Sequence, residues 1–261
     1  MQLKTLLLAG FMATVAMARG VSTKEHRNVL DEGLQQENAS RIGKRAVTLN
    51  AYVHVVFYSP DGNVPDALIE YQIQVLNQAF APIGTSFRLA GTDRTTMPTW
   101  SNGDNEQDMK RALYKGGAAD LNIYLVSGLG GETGHTNFPW EYQAQPYMDG
   151  CSILYTTMPG GSYPSYNKGI TLVHEVGHWL GLYNTFEGGC DAPGDYVDDT
   201  PYQATGSFGC FVGRDSCPQQ PGVDPVSNYM DTSDDDCRTQ FTPGQANRMA
   251  QAARQYRGIN L

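Results

Sequence analysis

The stretch that decides how this chain is read is Thr171-Leu-Val-His-Glu-Val-Gly-His-Trp-Leu-Gly181. His174 and His178 stand four apart, so on a helix both imidazoles leave one face, a turn from each other. Glu175 follows the first histidine and lies beside the pair, while Val173, Val176, Trp179 and Leu180 supply an apolar flank for packing. Two neutral imidazoles at this spacing suit zinc, and the neighbouring carboxylate suits proton transfer from a zinc-bound water. Gly181 can adopt the left-handed conformation that ends a helix and turns the chain back toward the metal. Three fixed positions recur by chance on exposed helices, whereas the longer pattern HExxHxxGxx plus a third ligand is specific. Here the third-ligand position holds Asn184 rather than His.

Outward from that helix the pattern is legible in pieces. Toward the N-terminus, Val47 to Tyr58 is rich in β-branched and aromatic residues and ends at Ser59-Pro-Asp-Gly62, a strand followed by a turn. Pro65 opens a helix with Leu68, Ile69, Ile73, Leu76 and Phe80 at helical spacing. Strands are expected at Thr85 to Ala90, Leu121 to Val126 and Cys151 to Thr157, and a short helix within Asn102 to Lys115. Strands alternating with helices imply a mixed sheet backed by two long helices. Toward the C-terminus, residues 187 to 225 are Gly, Pro, Asp and Cys without periodicity, an irregular part held by disulfides. Thr242-Pro-Gly-Gln245 is a capping box for a last helix whose buried stripe is expected at Ala246, Met249, Ala250 and Ala253.

The 261 residues suit one or two domains with a real core, and 40% hydrophobic against 17% charged residues reads as globular. A net charge of −9 argues against nucleic acid and anionic membrane as partners. Acidic groups gather late, at Asp191, Asp195, Asp198, Asp199, Asp224, Asp231 and Asp234 to Asp236. They read as a solvated face or, in the sharper alternative, as calcium ligands outside any EF-hand spacing. Lys4, the apolar run Leu6 to Ala16 and Ala16-Met-Ala18 make residues 1–18 a secretory signal. Residues 19–45 read as a pro-segment ending at Lys44-Arg45 and carrying the sequon at Asn38, which leaves a mature, secreted chain of residues 46–261. In an oxidising compartment Cys151, Cys190, Cys210, Cys217 and Cys237 suggest two disulfides and one leftover thiol. No coiled coil or exposed apolar helix face is evident, so a monomer is expected.

The run His174-Glu-Val-Gly-His-Trp-Leu-Gly-Leu-Tyr-Asn-Thr-Phe-Glu-Gly-Gly-Cys190 resembles the pappalysin-type metzincins, in particular the fungal extracellular metalloproteases and ulilysin. Asn228-Tyr-Met-Asp231 resembles the Met-turn beneath the zinc site of that clan. Gly194-Asp-Tyr-Val-Asp-Asp-Thr-Pro201, Gly213-Arg-Asp-Ser-Cys-Pro218 and Phe241-Thr-Pro-Gly-Gln245 match the same family in the same order. The resemblance implies an α+β, metzincin-like fold. A twisted mixed sheet with two long helices would form an N-terminal subdomain over 46–183. An irregular, disulfide-bonded C-terminal subdomain over 184–261 would carry the Met-turn and terminal helix. It implies a zinc endopeptidase acting on protein or peptide substrates, with His174, His178 and Asn184 as metal ligands, Glu175 as the catalytic base and Met230 shaping the floor of the site. It further implies Cys190–Cys217 and Cys210–Cys237 disulfides with Cys151 unpaired, and possible calcium sites in the acidic stretch.

Two positions depart from the family: Asn184 replaces the third histidine, and Thr232 stands where a tyrosine commonly follows the Met-turn. They define the competing reading, a secreted pseudopeptidase that binds a protein partner without cutting it. Of the remaining histidines, His54 reads as a packed strand residue. His135 falls in the Gly-rich segment that the resemblance makes the cleft's edge strand, lining the cleft or, alternatively, acting as a substitute ligand.

Overall fold

Val47–Phe57 forms the strand (β1) on which the sheet is assembled, because its β-branched residues are buried on both faces toward its C-terminal end. The computed structural model describes residues 47–261; the expected signal, pro-segment, Lys44-Arg45 pair and Asn38 sequon lie outside the described residues. β1 runs parallel to β2 (Thr85–Thr96) on one side and β3 (Leu121–Val126) on the other. β3 runs parallel to β5 (Cys151–Leu154), and the short β4 (Gly134–Thr136) closes the edge antiparallel to β5. The order is therefore β2-β1-β3-β5-β4, a mixed sheet. Every residue of β3 is buried, as expected of a parallel strand covered on both faces.

One face is covered by α1 (Asp66–Phe80) and α4 (Ile170–Trp179), whose Ile69, Leu76, Phe80, Leu172 and Val176 share a core with Val53, Val55, Ile123 and Ile153. The other carries α2 (Pro98–Ser101) and α3 (Glu106–Leu113), with Met109 packed on Val56, Tyr124 and Val126. The fold class is α+β, with the sheet and its two principal helices arranged as expected.

Some boundaries differ for identifiable reasons. β2 continues past Ala90 to Thr96 because its polar residues find partners. Asp93 accepts from His54 Nδ1 at 2.9 Å, and Arg94 donates to Asp66 at 2.7 Å and to the Val64 carbonyl at 2.9 Å. β5 ends at Leu154, and Tyr155–Thr157 is a single 3₁₀ turn. His54 is fully buried, with Nε2 2.9 Å from Asn122 Oδ1 and its ring stacked on Tyr124, so it is a packed strand residue.

Between Trp179 and Pro243 the described chain has no helix or extended strand, only turns, irregular segments and an isolated bridge between Asn228 and Gln240. This part is cross-linked by Cys190–Cys217 and Cys210–Cys237, while Cys151 is free and buried in the sheet. The terminal helix α5 (Pro243–Ala252) begins with both capping-box bonds made. Its buried face keeps Met249 and Ala253 of the expected stripe but not Ala246 and Ala250. Gln245, Arg248, Met249, Ala252 and Ala253 are buried, whereas Ala246 and Ala250 are only partly covered. Two polar residues are drawn inward by fixed partners: Gln245 exchanges amide bonds with Asn228, and Arg248 Nε donates to the Gly181 carbonyl at 3.0 Å.

Beyond α5, Arg257 ties the C-terminal segment to the end of α4. Its guanidinium donates to Asp149 at 2.8 and 2.9 Å and to the Trp179 carbonyl at 2.9 Å. It lies 3.8 Å above the Trp179 ring, and the indole Nε1 itself donates to Asp149.

Candidate metal centre and its cleft

Helix α4 starts at Gly169, whose φ of 82° is left-handed and whose carbonyl accepts from Gln72 of α1 at 2.9 Å. Those anchors set the rotation of the helix, which places His174 and His178 on the face away from the apolar flank. His174 Nδ1 lies 2.8 Å from the Tyr229 carbonyl, and His178 Nδ1 lies 2.8 Å from the Leu182 carbonyl. A carbonyl oxygen can only accept, so in each ring Nδ1 carries the proton and Nε2 is left bare. The two bare Nε2 atoms face each other 3.1 Å apart. Burial, foremost, holds both imidazoles below the usual histidine range, with His178 and Arg238 adding to the effect at His174.

Two lone pairs converging in a buried site repel unless a cation lies between them. A tetrahedral zinc with Zn–N of about 2.0–2.1 Å places two ligand nitrogens about 3.3 Å apart, close to the spacing found. Asn184 lines the same cavity as both imidazoles, and its Oδ1 is buried without a hydrogen-bond partner. Among the described residues no three His, Cys, Asp or Glu side chains converge on a metal-sized space. Two bare imidazole nitrogens and a buried, unpartnered amide oxygen lining one cavity are donor chemistry that fits zinc. Carbonyl partners on both Nδ1 atoms are the usual outer support for such ligands.

The turn at Asn228 to Asp231 lies directly beneath. Asn228 Oδ1 accepts from Met230 N at 2.9 Å, and the carbonyl of Tyr229 is the one that orients His174. Met230 is fully buried, and a Cβ on Gly177 would overlap its sulfur, so only glycine lets the helix sit flush on this floor.

Glu175 is buried with Oε2 unpartnered. Burial pushes its carboxyl up to about 7, opposed by the Thr136 hydroxyl, a value suited to taking up and releasing a proton near neutrality. A Cβ on Gly134 of β4 would lie 2.9 Å from the Glu175 side chain, so β4 backs directly onto this group. A cavity of about 610 Å³ joins His174, Glu175, His178 and Asn184 to residues of β4 and to Phe208.

His135 lines this cavity, but its Nε2 is engaged by Glu106 Oε1 at 2.6 Å, so it borders the cleft with that nitrogen already occupied. Glu106 also accepts from Ser152 at 2.8 Å and pairs with the buried Lys110 at 3.1 Å. Burial alone would raise Glu106, yet these partners outweigh it and hold the carboxyl at about 2. Its folded value lies below its unfolded one, so the stability it contributes is present above about pH 4.5 and lost as pH falls toward 2. Thermal melts should show the parent losing on the order of 2 kcal/mol relative to Glu106→Gln between pH 5 and 2. Parallel melting curves across that range would contradict it.

Several of the late acidic residues have protein partners. Asp199 caps α5 through Thr242 and Gly244, Asp224 binds Arg214 and Ser216, and Asp235 holds Arg238 and the Lys168 amide. Asp224 and Asp235 thus serve as buried acceptors, while Asp191, Asp198, Asp199 and Asp236 are exposed. The residues that sequence reasoning did not single out are Gly134, Thr136, Arg238 and the carbonyls of Tyr229 and Leu182. None carries a motif signal.

Residues 114–254 match the profile of peptidase family M43, described as pregnancy-associated plasma protein-A. An extracellular metalloprotease of Neurospora crassa is 44% identical across 98% of both chains. One of Pyricularia oryzae is 51% identical across 81% of this chain and 77% of its own. Among solved structures, mirolysin in complex with compound 9 superposes with a TM-score of 0.72 at 31% identity, over 81% of this chain and 94% of that one. Mature mirolysin of Tannerella forsythia in complex with a cleaved peptide gives 0.71 at 30% identity, over 82% and 94%. Fold and relatives together define a metalloprotease. The chain belongs to the M43 family, the pappalysin-type metzincins.

Proposed function

We propose that this protein is a secreted zinc-dependent endopeptidase that hydrolyses peptide bonds of extracellular proteins. The observation that carries the reading is the pair of bare Nε2 atoms 3.1 Å apart, beside a buried carboxyl with a free oxygen, in one cavity. His174, His178 and Asn184 would hold the metal, which when bound supplies Lewis-acid polarisation of the scissile carbonyl and of water. Glu175 takes a proton from the attacking water and returns it to the leaving amine, as its elevated pKa allows. Met230 closes the floor without entering the chemistry. The edge of β4 presents backbone groups to which an extended peptide can add as a further strand. The cleaved peptide in the mirolysin complex supports a peptide occupant.

Export is supported by the leader-like N-terminus and by relatives named as extracellular; among the described residues no helix is long and apolar enough to cross a membrane. Asn184 favours one alternative, a pseudopeptidase, because a neutral amide binds zinc more weakly than imidazole. Asn184→His separates the two. On the enzyme reading the parent cleaves casein, and the variant binds zinc more tightly by at least about 10-fold, since even outer-shell changes shift metal affinity that much. A parent that is inert while zinc-loaded, with activity only in Asn184→His, would establish the pseudopeptidase instead.

A further inference from the structure

Phe208, Phe211 and Val212 are 82%, 70% and 82% exposed, three large apolar side chains within five residues of one loop. Scattered apolar residues on a surface need no explanation, but a concentrated patch does. This loop is not slack chain. The Cys210–Cys237 disulfide pins its middle, Ser207 N donates to Asp231 at 2.9 Å, and Gly209 N donates to Asp234 at 3.0 Å. Asp231 directly follows Met230, so the loop is braced against the floor of the candidate metal centre. Phe208 also lines the cavity that holds His174, Glu175 and His178. The apolar patch is therefore continuous with the cleft through Phe208.

Resting on the endopeptidase reading, we propose that this loop is a substrate-docking surface. It captures apolar side chains of an extended polypeptide several residues from the bond being cut. Rigidity favours this role, because a braced patch binds without the cost of ordering a mobile loop. The occupant is a polypeptide rather than a lipid surface. The patch runs into a peptide-sized cleft, Asp234 is bonded to the loop through Gly209, Asp215 stands near it in the chain, and the net charge of −9 disfavours anionic headgroups.

The test compares the full chain with a Phe211→Ser/Val212→Ser double variant on two substrates. One is a short peptide spanning only the scissile bond, and the other is a peptide of the same core extended on both sides with Leu and Phe. The double variant should keep the short-peptide kcat/KM and raise KM for the extended one by about 10-fold, the effect of removing a well-buried apolar contact. Equal kinetics on both substrates in parent and variant would overturn the docking surface while leaving the peptidase reading intact. Loss on both substrates alike would overturn it as well, as damage common to the site. Absence of cleavage by the parent would remove the reading on which the proposal rests. Sedimentation with phosphatidylcholine vesicles that depends on Phe211 and Val212 would reassign the patch to a lipid surface.

Discussion

Replacing Glu175 with alanine lowers kcat/KM by about 10³-fold, the middle of the range for a positioned general base, while zinc content and melting temperature stay at or above those of the parent. The expectation follows from where the group stands. Its carboxyl is buried, pushed up to about 7, and has an oxygen without a partner, so the fold gains nothing from its charge. The adjacent imidazoles are oriented by the carbonyls of Tyr229 and Leu182, neither of which depends on Glu175. Chemistry and structure thus separate cleanly at this residue. Casein and peptide hydrolysis measured beside metal content checks it; a variant retaining a tenth of parental activity would place the base elsewhere.

Arg257→Ala destabilises the protein by about 3–5 kcal/mol, the usual consequence of removing one partner of a buried ion pair. Neither Arg257 nor Asp149 exposes any side-chain surface, so the variant leaves an uncompensated carboxylate in the interior. The same guanidinium also satisfies the Trp179 carbonyl at the end of α4 and the Ala118 carbonyl. The loss therefore reaches the helix that carries both histidines. Denaturant unfolding of oxidised protein should show the full effect, with a smaller one in Arg257→Lys, which keeps the charge but not the fork geometry. A change below about 1 kcal/mol in the alanine variant would contradict the role given to this clamp.

What could be read from sequence was whatever had a period or a fixed spacing. β1 and β3 announce themselves by β-branched runs, and α1 by its apolar residues three and four apart. Glu175, His174 and His178 stand together because one helical turn brings them there. The extension of β2 was hidden because Asp93 and Arg94 look like loop residues until His54, Lys115 and Asp66 are found beside them. Part of the α5 face escapes the pattern for a related reason: Arg248 and Gln245 are buried by partners contributed from distant segments. Backbone carbonyls that orient the histidines have no residue identity to read, and Gly134 matters only through its lack of a side chain against Glu175.

Metal content of the purified, oxidised protein tests the proposed centre most directly, measured for the parent and His174→Ala after dialysis against micromolar zinc. The expected result is one zinc per chain in the parent and none retained by the variant. A correctly folded parent that takes up no zinc, or a variant that holds as much, would contradict a metal gripped by His174, His178 and Asn184.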